Sequence, residues 1–129
     1  MRRHTVLVIE DDPDLAALVE LLLAGEGYGC VSCPSVAEAL MLLTRQPVDL
    51  ILTDSFSLTA TDVLSPTSPV LAASRGVPVV LLTGFPVEGG DVLAAGFAAV
   101  QLKPFDLEDL LAQVAVLLAD DAADTLVAR

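Results

Sequence analysis

Basic residues are scarce in this 129-residue chain. Six stand against 18 acidic ones, for a formal net charge of −12, and Lys103 is the only lysine. A field of that sign repels phosphate backbones and anionic membrane surfaces, which argues against direct nucleic-acid binding and against membrane association. His4 is the only histidine, and Cys30 and Cys33 are the only cysteines, so no second pair exists to complete a zinc site. The C-x-x-C at 30–33 lies within a strand-like stretch and not at the strand-to-helix turn that suits a redox pair. Cys30 is expected as a small core residue of that strand, with Cys33 at its edge. Long apolar runs are missing too. Hydrophobic residues make up 54% of the chain, yet Glu20, Asp62, Asp91 and Glu108 keep every run below the roughly 18 residues of a membrane span. Arg2 and Arg3 precede an apolar patch that is shorter than a signal-peptide core and meets Glu10-Asp11-Asp12 at once. A soluble, cytoplasmic chain forming one compact domain is the expectation.

What the chain does have is β-branched apolar runs alternating with helical periodicity. Val48 to Asp54, Val-Asp-Leu-Ile-Leu-Thr-Asp, is too short for a helix and predicts a strand buried on both faces that delivers Asp54 to its C-terminal end. Thr5 to Ile9 predicts a first strand. Asp12 as N-cap and Pro13 at the first position then open a helix through Leu15, Leu18, Val19, Leu22 and Leu23, stopped by Gly25. Tyr28 to Ser32 predicts the second strand, and Ser35 with Glu38 is a capping box for a helix through Val36, Leu40 and Leu43. Residues 55–68, rich in Ser, Thr and Ser-Pro steps, predict a long loop. A shortened third helix is expected from Ser68 as N-cap toward Gly76. Val79 to Leu82 predicts a strand delivering Thr83, 88–95 a weak helix ended by Gly96, and Ala99 to Leu102 a short strand running into Lys103-Pro104. Asp106 caps a last helix bearing Leu107, Leu110, Leu111, Val114, Leu117 and Leu118. The domain is expected over 1–119, with 120–129 a frayed acidic tail.

Strands alternating with helices imply an α/β fold, a three-layer, doubly wound, five-stranded parallel sheet of flavodoxin-like order 2-1-3-4-5. In that order the ligand crevice lies at the C-terminal ends of the first and third strands, which gathers Glu10, Asp11 and Asp54. Three carboxylates in one crevice repel one another unless a cation compensates, and a hard divalent ion such as Mg²⁺ suits oxygen donors. The alternative, a solvated acidic loop, leaves the hydroxyl of Thr83 and the ammonium of Lys103 at the neighbouring strand ends without a role. Carboxylate nucleophile, metal, hydroxyl and cation together suit acceptance of a phosphoryl group.

These pieces, Val-Leu-Val-Ile-Glu-Asp-Asp at 6–12, Asp54, Leu-Leu-Thr at 81–83 and Leu-Lys-Pro-Phe at 102–105, resemble the receiver domain of bacterial two-component response regulators over essentially the whole chain. The resemblance implies that Asp54 takes phosphate from a histidine kinase or phosphotransfer protein and that Thr83 and Lys103 bind the phosphoryl oxygens. It also implies that Glu10, Asp11, Asp54 and the Phe56 backbone carbonyl hold Mg²⁺, that Lys103-Pro104 is cis, and that the output is binding to an unnamed target protein. It admits a homodimer and suggests a stand-alone receiver that acts on its own aspartate, not an enzyme with an external substrate. A pseudo-receiver serving only as an interaction module is the second reading, and a small hydrolase using Asp54 is a third, disfavoured because no second acid is placed as general acid. Three features depart from the family pattern. Val100 stands where receivers place an aromatic switch residue, Ser57, Leu58 and Asp62 replace the usual Met-Pro and Gly after the acceptor, and the fourth helix is short and glycine-marked. In receivers the residues two past the acceptor and two past the threonine flank the path of water to the acyl phosphate. Here they are Phe56 and Phe85, which either cover the phosphoryl group or merely pack together.

Overall fold

The apolar runs become strands because both of their faces are covered. The computed structural model of the chain describes residues 3–127, with side chains described through 119. Among the described residues, β1 (Thr5–Ile9), β2 (Gly29–Cys33), β3 (Leu50–Asp54), β4 (Val79–Thr83) and β5 (Ala99–Leu102) form one sheet. Its order is β2-β1-β3-β4-β5 with every neighbouring pair parallel, the expected doubly wound arrangement. The helices are α1 (Pro13–Gly25), α2 (Val36–Arg45), α3 (Ser68–Ala73), α4 (Gly89–Ala95) and α5 (Leu107–Val127).

Successive strand residues face opposite layers. Leu7, Ile9, Ile51, Val79 and Leu81 pack with Ala39 of α2, Val70 of α3 and Val92 of α4. Val6, Val8, Leu50, Leu52, Val80 and Leu82 pack with Val19 and Leu23 of α1 and Leu110, Val114 and Leu118 of α5. Each fully buried Val, Leu or Ile contributes about 1.5–3 kcal/mol of transfer free energy, so these two layers hold the strand ends at fixed positions.

Side-chain caps start α1, α2 and α5 where the sequence placed them, whereas Ser68, expected as an N-cap, is the first residue of α3, which follows Thr67 with no side-chain cap. Asp12 Oδ1 accepts from the N–H groups of Asp14 and Leu15 at 3.0 and 3.3 Å, and Ser35 Oγ from that of Glu38 at 3.2 Å. Asp106 Oδ1 accepts from Glu108 at 2.8 Å.

Several boundaries differ from expectation. Gly25 still belongs to α1, and the left-handed residue that turns the chain out is Gly27, at φ 89°. β2 lies one residue later than expected, which carries Cys33 into the α2-side layer at 6% exposure and leaves Cys30 the half-buried one, the reverse of the expected assignment. A 3₁₀ turn over Ser65–Thr67 leads straight into α3, because Asp62 Oδ1 takes the Ser65 N–H at 3.2 Å and Pro66 and Pro69 have no N–H to satisfy. α3 then closes at Ala73, short of Gly76. With no glycine or proline after Leu107 to end it, α5 continues to Val127. The side chains of the acidic segment from 120, and residues 128 and 129 altogether, lie outside the described residues.

Candidate functional site

Each residue of the site leaves the sheet at a strand end, tied there by a backbone hydrogen bond that prolongs the ladder. Glu10 N–H donates to the Cys33 carbonyl at 3.0 Å, Ser55 N–H, next to Asp54, to that of Leu82 at 2.9 Å, and Lys103 N–H to that of Thr83 at 2.7 Å. The Lys103-Pro104 bond is cis.

From this frame the Lys103 ammonium donates to Glu10 Oε1 at 2.8 Å and to Asp54 Oδ1 at 2.6 Å. The other Glu10 oxygen accepts the Asp12 N–H at 3.1 Å. Asp54 Oδ2 accepts the Phe56 N–H at 2.8 Å, an Asx-type turn for which Phe56 adopts a left-handed φ of 54°. Both oxygens of Asp54 are therefore held, one by a cation and one by a backbone donor.

Glu10, Asp11 and Asp54 can each present an oxygen with all three within 4.8 Å of one another. Hard oxygen donors grouped that closely fit a divalent cation such as Mg²⁺, which keeps water in its remaining positions. Asp12 stands apart from this group because its carboxylate is used as the α1 cap.

Burial raises the Glu10 pKa, and the nearby charge of Asp54 adds to it, against the lowering pull of Lys103 and the Asp12 N–H. Burial pulls the Lys103 ammonium down, but its hydrogen bonds to Asp54 and Glu10 outweigh that and hold it above the ordinary lysine value. The balance differs because Glu10 is the deeper partner, its side chain 2% exposed against 24% for Lys103.

Thr83 is fully buried at the end of β4, one strand over from Asp54. Its Oγ1 accepts the Phe85 N–H at 3.0 Å. The structure thus brings Glu10, Asp11, Asp54 and Lys103 together and turns the Thr83 hydroxyl toward its own loop. Phe56 and Phe85 are half-buried against the α2-side layer, as is Val100. Sequence reasoning missed two contacts, the Lys103–Glu10 ion pair and the Phe56 N–H on Asp54. A lone lysine at a strand end facing three acids was the available signal for the first. Beside Lys103, Leu15, Leu18, Pro104, Phe105 and Leu107 line an apolar groove of about 450 Å³.

The sequence profile of the response regulator receiver domain matches residues 6–115. A curated relative, the DNA-binding response regulator MtrA of Mycolicibacterium smegmatis, is 33% identical over 96% of this chain and 56% of its own length. The chain thus spans about half of that relative. Among solved structures, a response regulator from Thermotoga maritima shares the fold with a TM-score of 0.77 at 23% identity, covering 92% of this chain and 99% of that one. The receiver domain of a sensor histidine kinase from Pseudomonas aeruginosa PAO1 matches with a TM-score of 0.73 at 26% identity and the same coverage, and it holds a magnesium ion coordinated in its active site cleft.

Proposed function

Because the chain belongs to the response regulator receiver domain family, we propose that it takes a phosphoryl group from the phosphohistidine of a histidine kinase or phosphotransfer protein onto Asp54 and signals by phosphorylation-dependent binding to a target protein. The observation that carries this reading is the grip on Asp54, with Oδ1 on Lys103, Oδ2 on the Phe56 N–H, and Glu10 and Asp11 within metal-sharing distance.

A carboxylate held at both oxygens is pre-positioned for in-line attack, which replaces entropy otherwise lost in the transition state. An Asp54 oxygen bonds to phosphorus as the P–N bond of phosphohistidine breaks, and the electron pair leaves on the imidazole nitrogen. Glu10, Asp11 and Asp54 with the Phe56 carbonyl hold Mg²⁺ in this reading, and the ion supplies neutralisation of charge on the transferring group. Lys103 is within reach to exchange a carboxylate contact for a phosphoryl oxygen. The Thr83 hydroxyl, whose proton points to the Phe85 carbonyl at 3.4 Å, can donate to another by turning from that carbonyl.

The chemistry is confined to the chain's own aspartate, and the groove beside Lys103 offers the donor protein an apolar seat next to Asp54. The net charge of −12 favours a protein over a nucleic acid as the partner of this segment. Among the described residues no helix is long and apolar enough to cross a membrane, in keeping with a cytoplasmic place for such signalling.

Incubation with a small phosphodonor and Mg²⁺, followed by intact-mass measurement, should show gain of one phosphoryl group, abolished by chelation and by Asp54→Asn. A parent chain that gained nothing would be a phosphorylation-independent interaction module instead.

A further inference from the structure

The opposite end of the sheet carries a second concavity. α2 and α3 both finish there, and the segments leading from them into β3 and β4 wall a cleft of about 350 Å³. That volume lies within the range of small-molecule sites, about 300–1,000 Å³. Pro47, Val48 and Val77 supply an apolar lining, Gln46 a half-buried amide, and Arg45 and Arg75 two exposed guanidiniums.

Three observations set this cleft apart from ordinary surface. In a chain with six basic residues and 18 acidic ones, two arginines face one opening. Among the described residues neither forms an ion pair or a side-chain hydrogen bond, although potential acidic partners outnumber them. Arg75 also holds a left-handed φ of 54°, followed by Gly76 at 86°, so an L side chain sits where glycine would be less strained. Arg45 lies in the last turn of α2 and Arg75 just past the α3 cap Ser74, so the two helix C-termini bring both cations to the same opening.

We propose that this cleft binds a small organic anion, its carboxylate or phosphate oxygens held by Arg45 and Arg75 and its apolar body placed against Pro47, Val48 and Val77. Guanidinium forks match such oxyanions bidentately. Val48 and Asp54 are six residues apart along an extended segment, roughly 20 Å at about 3.3 Å per residue. That separation exceeds the roughly 8 Å screening length at physiological salt, so binding is electrically independent of the phosphoacceptor and does not rest on its assignment.

The test is a backbone amide NMR titration of the full chain with benzoate and, separately, phenyl phosphate. Saturable shifts at 44–48 and 73–77 with either probe are expected, and the preferred probe tells which oxyanion the cleft takes. Asp54→Asn should leave the affinity unchanged, whereas Arg45→Gln and Arg75→Gln should each weaken it roughly tenfold, as loss of a charge-assisted hydrogen-bond pair implies. Either single variant suffices if the other perturbs the spectrum globally. Absence of saturable shifts with both probes, shifts centred on Lys103, or equal affinity in the arginine variants would overturn the proposal.

Discussion

Replacing Lys103 by methionine keeps most of the side-chain length and removes the cation that Glu10 and Asp54 share. Glu10 stays in place with a side chain 2% exposed, and Asp54 with one 15% exposed. Breaking a fully buried pair costs about 3–5 kcal/mol, while a fully exposed pair is worth about 0–1 kcal/mol. With Lys103 24% exposed the pair lies between these limits, so about 2 kcal/mol is expected. In a domain of this size that lowers the melting temperature by roughly 6–10 °C. The carboxylates left without their cation should also draw more from Mg²⁺. A tenfold tightening adds about 1.4 kcal/mol of stabilisation at saturating metal, so the deficit of the variant should shrink when Mg²⁺ is added. Adding Glu10→Gln to Lys103→Met should recover part of the loss without metal, because it removes the deepest unpaired charge. Thermal unfolding followed by circular dichroism, with and without Mg²⁺, measures all of these. The sign follows from Lys103 being raised above 10.5: the parent's stabilisation is fully present below that value and is lost as pH rises through the folded pKa. A Lys103→Met protein that melted with the parent in both conditions would show that the ammonium does not support the site.

Other perturbations separate the remaining assignments. Phe85→Ala or Phe56→Ser should shorten the phospho-Asp54 half-life several-fold at fixed Mg²⁺ and pH, where tenfold corresponds to about 1.4 kcal/mol of barrier, and unchanged decay in both would reduce the rings to packing. Asp12→Ala removes the acceptor for two N–H groups of α1 and should cost about 1 kcal/mol of stability while phosphoryl acceptance persists, so loss of acceptance without destabilisation would make Asp12 a site residue instead of a cap. The Cys30 thiol is pushed up to about 11 by burial, with the charge of Glu20 adding to it. Iodoacetamide labelling should therefore be slow at neutral pH and climb about tenfold per unit until near pH 11, and peptide-like labelling at neutral pH would contradict its burial. The same shift favours the fold below the ordinary thiol value of 9.0 and fades as pH rises through about 11. Cys30 and Cys33 are three residues apart on one strand, roughly 10 Å, beyond the roughly 7 Å that a disulfide spans, so oxidation should leave both thiols free.

How far the sequence reached depended on whether position along the chain determined position in space. β1, β3 and β4 were legible because each is buried on both faces, which leaves an unbroken apolar run ending in a polar residue. Once the strand order followed from the alternation, Glu10, Asp54, Thr83 and Lys103 had to emerge at one end of the sheet. The caps at Asp12, Ser35 and Asp106 were legible because a short polar side chain before an apolar stripe answers the unpaired N–H groups of a first turn. The burial of Cys33, the left-handed turn at Phe56 and the early close of α3 were not. Each is decided by a neighbour distant in sequence, by a local hydrogen bond, or by which of two adjacent residues faces a helix. The Lys103–Glu10 pair spans 93 residues, and no local pattern encodes it.

The departures from the family pattern gather on one side of the site, and the structure gives them a physical content. The acceptor end rests on strand termini, where the ladder fixes the backbone, so replacing the usual Met-Pro and Gly by Ser57, Leu58 and Asp62 leaves Asp54 held at both oxygens. The chain instead closes that loop on itself, with Ser57 Oγ donating to the Val63 carbonyl at 3.0 Å and Val63 buried at 5% exposure. Thr83 is different. Its hydroxyl accepts the Phe85 N–H at 3.0 Å and donates to the Phe85 carbonyl at 3.4 Å, and Phe85 packs in the same layer as Val92 of α4 and Phe97, together with Val100 at the position where an aromatic is expected. A phosphoryl oxygen that recruits the Thr83 hydroxyl would draw its proton from the Phe85 carbonyl, and the loop carrying Phe85 would then shift against a closely packed layer of branched and aromatic side chains. With valine in place of an aromatic at 100, the response to phosphorylation proposed above would be taken up by Phe85 and its neighbours in the loop after β4, not by a ring rotation on β5.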